Sequence, residues 1–505
     1  MRFFPLLLAL FCLTALPAAA QSVPCDDAGM AGEYPCGNVT LLSHIGLPTM
    51  NTQAGNDVWG WTDSVTGKEY ALMGLADGTA FVDVSDPTTP VYLGKLPTHT
   101  SATIWRDVKV YGDYAFIVSE ADGHGMQVFD LARLRDIAPT QGPVEFTADA
   151  HYDRVGQSHN VALNEETGLA IIVGNRESEG CAGGLHLVDV TTPLNPTFAG
   201  CFDDDGYTHD VQCVVYDGPD ADYTGREICI ASNEDTVTIV DVTDRENTVE
   251  ISQAVYPNPA YTHQGWLTED HRYFIANDEL DEQRYSHNTR TLIFDVSDLD
   301  SPEFVDVYLS DYPSIDHNLY VRGDAVYAAN YRIGLRILDA SNVADGELTE
   351  VAYFDTFPVD NANQFGGAWS TYPYFASGTV LISDMQRGLF MVRPERAEPL
   401  ALASFSAFPW DGGVDLSWRL EPEVEASRFV VERDQNGTWA TVGTVTASAD
   451  RMLYRFRASG LAGGEHTFRI RALDTDGFTV FSEPVSASLG MAAEPAMEST
   501  DVAGE

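Results

Sequence analysis

A short apolar strand ending in aspartate recurs along this chain at nearly even spacing, and few folds can accommodate such a pattern. It reads Phe81-Val82-Asp83-Val84, Leu187-Val188-Asp189-Val190, Ile239-Val240-Asp241-Val242, Ile293-Phe294-Asp295-Val296 and Ile337-Leu338-Asp339-Ala340. Val128-Phe129-Asp130-Leu131 is a variant, and Phe390-Met391-Val392-Arg393-Pro394 is a last copy with Arg in the Asp place. Each run is short and rich in β-branched residues, and turn formers come after it, which is the pattern of a strand. About 50 residues separate successive copies, the length of one four-stranded sheet with its loops. In the third unit the companion strands are 159–163, 169–174 and 196–202, with the turn Glu165-Glu166-Thr167-Gly168 between the first two. Seven such units predict an all-β fold, a seven-bladed β-propeller, which hides the long edges that an open sheet exposes.

The seventh unit ends at Pro394 without a fourth strand. The segment Val39-Thr40-Leu41-Leu42-Ser43-His44-Ile45-Gly46 resembles the fourth strand of the first unit, Pro90-Val91-Tyr92-Leu93-Gly94. It is predicted to complete the last blade and join the chain ends. The repeated Asp is expected to accept backbone N–H groups in the adjoining turn. An active site rarely needs one group in six equivalent places.

Residues 1–20 read as a secretory signal: Arg2, an apolar core over 3–16, then Ala18-Ala19-Ala20. Residues 21–38 form a cysteine-containing N-terminal loop, and 39–394 the propeller. Outside the signal lie Cys25, Cys36, Cys181, Cys201, Cys213 and Cys229. An even number in an exported chain suggests disulfides. Blade geometry favours the local pairs Cys25–Cys36, Cys181–Cys201 and Cys213–Cys229. A zinc site is the alternative, but the chain has no C-x-x-C. No stretch after the signal is long and apolar enough to span a bilayer.

The formal net charge is −48, with only three lysines. Such a surface repels nucleic acid and anionic membranes. It fits an exported protein in high salt, where screening relieves self-repulsion, or one in a calcium-rich extracellular setting. The reading is therefore an extracellular or outer-surface monomer with an unidentified extracellular ligand or surface partner, and not a nucleic-acid binder.

Beyond Pro399 the pattern becomes alternating, as in Val414-Asp415-Leu416-Ser417-Trp418 and His466-Thr467-Phe468-Arg469-Ile470-Arg471-Ala472. Residues 399–488 thus predict a small antiparallel β-sandwich. It resembles a fibronectin type III domain, with Trp418 as the core tryptophan of its second strand. Residues 489–505 read as an acidic disordered tail. They show no sorting motif, so the chain is expected either to be released or to be anchored through a segment outside this sequence.

The Leu/Ile-Val-Asp-Val runs resemble the LVIVD repeat of bacterial surface propellers. Ala31-Gly32-Glu33-Tyr34-Pro35-Cys36-Gly37-Asn38-Val39, Asp205-Gly206-Tyr207-Thr208-His209-Asp210-Val211-Gln212-Cys213 and Tyr223-Thr224-Gly225-Arg226-Glu227-Ile228-Cys229 resemble segments of the choice-of-anchor B family. The resemblance covers roughly residues 25–394. It implies export and a propeller body joined to varied C-terminal anchors, and it supplies no catalytic residues.

The candidate site comes from four histidines in one register: Ser158-His159-Asn160, Thr208-His209-Asp210, Thr262-His263-Gln264 and Asp316-His317-Asn318. Equal register in equal units predicts an arc around the central channel. His159, His209, His263 and His317 are candidate metal ligands, because neutral imidazole suits zinc or manganese, while nearby acids and amides suit calcium. Candidate ligand-binding residues at the same mouth are Arg106, Asp107, Asn160, Asp210, Gln264 and Asn318. To these the loops after the second strands add Arg176, Glu177, Glu234, Asp278 and Arg332. The bland alternative is that each histidine caps its own strand. Trp59, Trp61, Trp105, Trp266 and Trp369 are expected near the same strand, and His44, His99, His124, His151, His271 and His287 as solvated or loop residues.

No Gly-x-Ser-x-Gly elbow, phosphate loop or dinucleotide fingerprint occurs. The leading reading is a secreted or surface protein that binds a ligand or partner at the His-lined mouth. The alternatives are a metal-dependent extracellular hydrolase or lyase acting on a carbohydrate or ester there, and a purely structural surface protein.

Overall fold

The computed structural model describes residues 22–138, 140–175, 181–396, 398–422, 424, 426–435, 437–448 and 451–490. The expected signal, most of the expected tail, and Arg176 and Glu177 lie outside the described residues.

The chain is all-β and dominated by four-stranded antiparallel sheets. The first sheet holds Gly55–Thr62, Glu69–Leu75, Gly78–Asp83 and Val91–Pro97. The second holds Arg106–Tyr111, Tyr114–Ser119, Met126–Asp130 and Ala150–Tyr152. The third to sixth sheets open on Asn160–Asn164, Asp210–Val215, Thr262–Leu267 and Leu319–Arg322, each succeeded by three more strands in chain order. The seventh combines Ala368–Tyr372, Val380–Asp384 and Gly388–Pro394 with Val39–Ile45 from the other end of the chain.

The opening strands adjoin one another in cyclic order, and the seventh also touches the first. Apolar side chains fill the space between successive sheets. Leu72, Phe81, Ile117 and Phe129 join the first and second; Leu187, Val211 and Cys229 join the third and fourth. Val58, Met73, Leu389 and Met391 join the seventh back to the first. The strand before each repeated Asp is buried on both faces, which is why it reads as a continuous apolar run rather than an alternating one. The repeated bulge beside it, at Phe81/Val82, Leu187/Val188, Ile239/Val240, Ile293/Phe294 and Ile337/Leu338, adds local twist.

The repeated Asp has a structural task common to all copies. Asp83, Asp130, Asp189, Asp241, Asp295 and Asp339 each accept the backbone N–H two residues on, at 2.8–3.0 Å.

The disulfides are Cys25–Cys36, Cys181–Cys201 and Cys213–Cys229, the last between paired positions on neighbouring strands. Three disulfides mark an exported chain. The N-terminal segment expected as a loop contains two short strands, Met30–Ala31 and Tyr34–Gly37, which extend the outer edge of the sixth sheet. No described helix is long and apolar enough to cross a membrane.

The C-terminal unit has two antiparallel sheets. One contains Leu402–Trp410, Gly413–Leu420 and Leu453–Ser459, the other Arg428–Gln435, Thr438–Thr446, Gly464–Leu473, Thr479–Phe481 and Val485–Leu489. They share a core around the fully buried Trp418, with Phe429, Tyr454, Phe468 and Ile470. This unit is docked rather than strung out. Phe478 enters the cluster of Tyr327 and Phe354, Tyr327 donates its hydroxyl to the Asp476 carbonyl at 2.7 Å, and Arg396 pairs with Asp474 and Asp476.

Candidate functional site

The four register histidines lie beside the opening strands of the third to sixth sheets and meet ring to ring. Centroids are 4.4 Å apart for His159–His209, 4.2 Å for His209–His263 and 4.5 Å for His263–His317. Tyr331 and Trp369 continue the row at 4.7 and 4.6 Å from His317. The arrangement is a row of imidazoles along the ring of sheets. His159 is the least buried and His263 is fully buried.

Each Nδ1 is held by an acceptor. His209 donates to the His263 carbonyl at 2.9 Å and His317 to the Trp369 carbonyl at 2.5 Å. His263 donates to Asn277 Oδ1 at 3.2 Å. The orientation of Asn277 is fixed by its other contacts: Oδ1 accepts the Gln264 N–H, and Nδ2 donates to the His317 carbonyl. A carbonyl only accepts, so these contacts place the ring proton on Nδ1 and the lone pair on Nε2. His159 Nδ1 meets Glu120 Oε1 at 2.5 Å.

Glu279 comes from the loop after Tyr273–Asp278 and points at the row. Its Oε1 lies 3.6 Å from His317 Nε2 and 4.0 Å from His263 Nε2, and accepts the Tyr331 hydroxyl at 2.8 Å. His263 Nε2 is buried and has no hydrogen-bond partner among the described residues. Burial, then the neighbouring imidazoles, hold His263 well below its ordinary value, and burial takes His317 down to about 3. Burial pushes Glu279 up to about 7. At His159 burial opposes the charge, but the bond and the charge of Glu120 prevail and raise it.

Two residues of this region are held at positive φ without being glycine: Glu234 at 63° and Tyr331 at 34°. They occupy matching loops, after Glu227–Ser232 and Ala325–Ala329. Their carbonyls accept the N–H of Thr262 and Ala368 in the neighbouring sheets. The surrounding ladder holds a conformation that costs about 1–3 kcal/mol in isolation.

The other candidates have different surroundings. Asp107 accepts the Val161 N–H at 2.8 Å, Asn160 donates to the His209 carbonyl at 3.0 Å, and Gln264 bonds both the N–H and the C=O of Leu319 at 2.9 Å. These side chains tie one opening strand to the next. Asn318 is buried beside them, and Asp210 Oδ1 accepts the adjacent Val211 N–H. Asp278 faces away from the row, where it accepts Ala260 N–H, Tyr261 N–H and the Tyr256 hydroxyl. Arg332 pairs with Asp360 at 2.6 Å. Glu279 and Tyr331 sit in the loops after the second strands that sequence reasoning brings to the mouth, Asn277-Asp278-Glu279 and Asn330-Tyr331-Arg332, but it chose Asp278 and Arg332 from them as candidates. Asp278 bonds the 256–261 segment, and Glu279, the next residue, faces the histidines.

Arg106 and His124 correct a simpler picture. Arg106 is 1% exposed and does not offer an open guanidinium: Nε donates to the Leu75 carbonyl and Nη1 to His124 Nε2, at 3.1 and 3.0 Å. His124, expected as a solvated or loop residue, lies in a loop but is fully buried, with Nδ1 donating to the Gly125 carbonyl at 2.9 Å. Burial, then the Arg106 charge, lowers it to about 3. The unfolded chain therefore takes up a proton first as pH falls from about 6.5, and the folded chain does so only near 3. Relative to His124→Gln, the native protein is expected to lose about 3 kcal/mol between pH 7 and pH 4. Urea melts at both pH values check this; parallel losses in the two proteins would refute it.

The tryptophans do not form one cluster, because a strand carries successive residues from one end of the channel to the other. Trp369 packs on His317, whereas Trp59, Trp61 and Trp266 line a cavity of about 580 Å³ at the opposite end, with Tyr372 and Tyr374. Trp105 is 42% exposed.

No curated protein matches the chain. Among solved structures, the extracellular domain of a one-component-system protein from B. thetaiotaomicron is similar at 14% identity and TM-score 0.41, over 89% of this chain. The chain spans 58% of that domain's length. PorZ, a bacterial surface component of the type-IX secretion system of Porphyromonas gingivalis, is similar at 12% identity and TM-score 0.42, over 84% of this chain and 58% of its own. The C-terminal WD40 domain of Sif2 is similar at 8% identity and TM-score 0.42, over 68% of this chain and 97% of its own. Residues 104–126, which contain the first two strands of the second sheet, match the LVIVD repeat.

Proposed function

We propose that this chain is an exported, surface-located seven-bladed β-propeller of the choice-of-anchor B type that binds an extracellular ligand or partner at the histidine-lined end of its channel. Three disulfides support export. The cyclic contact of seven opening strands supports the blade number. The C-terminal unit is a fibronectin type III-like sandwich, and its docking on the sixth and seventh sheets makes it a rigid extension.

The observation that carries the binding role is the row of four imidazoles with Glu279 set against it. If the histidines were mere strand caps, each would bond within its own unit. Instead His209 bonds the backbone of the fifth sheet's opening strand and His317 that of the seventh's, while His263 keeps a buried lone pair facing a carboxylate. Buried titratable groups with perturbed pKa values cluster at functional sites.

The test is binding of labelled mature protein to arrays of glycans, peptidoglycan fragments and cell-surface proteins, beside His159→Ala, with and without chelator. Retention of a specific array component by the native protein, weakened in the variant, is expected. Retention of none would refute the reading.

A further inference from the structure

We propose that His263, His317 and Glu279 bind one divalent first-row transition ion, zinc by the character of the donors, through His263 Nε2, His317 Nε2 and Glu279 Oε1. The inference rests on the histidine-lined end being a binding face, and it names the ion that face holds.

Three independent features of the geometry point to it. First, the three atoms lie within 4.8 Å of one another, with the carboxylate oxygen 3.6 and 4.0 Å from the two nitrogens. A zinc ion with bonds of about 2.0–2.1 Å holds tetrahedral donors about 3.3–3.4 Å apart. The carboxylate oxygen must close by about 0.2–0.3 Å on His317 and about 0.6–0.7 Å on His263, movements within reach of side-chain rotation. Second, both imidazoles are in the tautomer a metal requires. Nδ1 of each is a donor to a fixed oxygen, so Nε2 carries the lone pair. Third, His263 Nε2 is buried and has no hydrogen-bond partner among the described residues. A buried acceptor left unsatisfied costs about 1–3 kcal/mol, so its retention points to a group that completes it.

The second layer is also built for a metal. Tyr331 donates to the ligating oxygen of Glu279, and Asn277 holds His263 with Oδ1 and the His317 carbonyl with Nδ2. One amide thus positions both ligand-bearing segments. Two nitrogens and a single carboxylate do not suit calcium, which takes six to eight oxygens. Three protein donors leave a fourth tetrahedral position open to water or to an oxygen of a bound ligand. Glu279, with its side chain 14% exposed, is on the side from which an ion enters. His159 and His209 continue the row but do not belong to this three-donor group.

The experiment uses the mature full-length protein, stripped with chelator and titrated with Zn²⁺ and Co²⁺, with Ca²⁺ as the contrasting ion. Elemental analysis, the visible d–d absorption of the cobalt form and thermal midpoints are read. One equivalent of zinc, cobalt absorption of a nitrogen-bearing tetrahedral site and no response to calcium are expected. Affinity should fall roughly 100-fold or more in His263→Ala and in Glu279→Gln, roughly tenfold in Tyr331→Phe, and not at all in His99→Ala, which alters an exposed ring elsewhere. Glu279→Gln preserves shape at a partly exposed position, so it tests the site even if His263→Ala folds poorly. No uptake, or uptake indifferent to Glu279→Gln and His263→Ala, would overturn the assignment. Array binding by metal-free protein that takes up no zinc would remove the metal site and leave the binding face. A full equivalent of zinc without array binding would do the reverse.

Discussion

A chain lacking residues 39–46 is expected to lose its single cooperative unfolding transition. Val39–Ile45 pairs along its whole length with Gly388–Pro394, more than 340 positions away in sequence, and is the fourth strand of the seventh sheet. Val39, Leu42 and Ile45 are 1%, 3% and 8% exposed. Burying side chains of this size is worth roughly 1.5–3 kcal/mol each. With the ladder of hydrogen bonds, the strand's contribution is of the order of the whole stability of a typical domain, about 5–15 kcal/mol. The deletion would also bare the backbone edge of Gly388–Pro394, inviting association. Urea unfolding monitored by circular dichroism and tryptophan fluorescence checks this. Broad, non-coincident transitions are expected; a melting curve like that of the intact protein would refute closure by this strand. Leu42→Ala, a milder change at the same place, should keep the transition and cost about 2–5 kcal/mol.

Lys109→Met should be nearly as damaging. Lys109 is one of three lysines in the chain, and it is buried, with Nζ 2.6 Å from Asp107 and 3.3 Å from Asp57. It lies 4.8 Å over the Trp59 ring. The two aspartates are 3% and 1% exposed, and burial already pushes Asp57 upward. Removing the ammonium leaves two carboxylates without a counter-charge, which costs about 3–5 kcal/mol. The loss comes from the uncompensated acids rather than from the pair itself. Replacing all three, Asp57→Asn/Asp107→Asn/Lys109→Met, is therefore expected to recover most of the stability. The Val108 and Val161 N–H groups that Asp57 and Asp107 accept can still bond an amide oxygen. Chemical denaturation of the single and triple variants decides it; a triple variant no more stable than Lys109→Met would refute the argument.

Much of the fold was legible because it depends on local pattern. A strand buried on both faces must be apolar throughout, and the turn that ends it needs an acceptor two residues back. The six aspartates satisfy that need at nearly one distance. The disulfide pairs were legible for a related reason: Cys213 and Cys229 lie on strands joined in chain order, so pairing register puts them side by side. The N-terminal segment before Val39 was harder. Tyr34–Gly37 pairs with the sixth sheet, more than 300 residues away, and carries Met30–Ala31 with it; nothing local in either strand announces that partner.

The site was legible only in outline. Register alone brought His159, His209, His263 and His317 into one row, because equal positions in equal units become neighbours when the units are arrayed. The same reasoning offered Asp107, Asn160 and Gln264 as open ligands, yet their side chains bond backbone of the next sheet, where an unpaired N–H would otherwise be buried. It offered Asp278, whose carboxylate bonds the 256–261 segment, while the next residue, Glu279, faces the histidines. The burial of Arg106 and His124 was not legible, because burial is a property of packing, not of spacing.

By itself, then, the amino-acid sequence determined the repeating strand, its turn, the local disulfides and the common register of the histidines. All of these depend on residues near one another in the chain or on the period of the repeat. Only the tertiary structure decided which ring atoms carry protons, which carboxylate faces them, and which polar groups are left buried and unsatisfied. Those depend on atoms brought together from different sheets, which spacing along the chain does not specify.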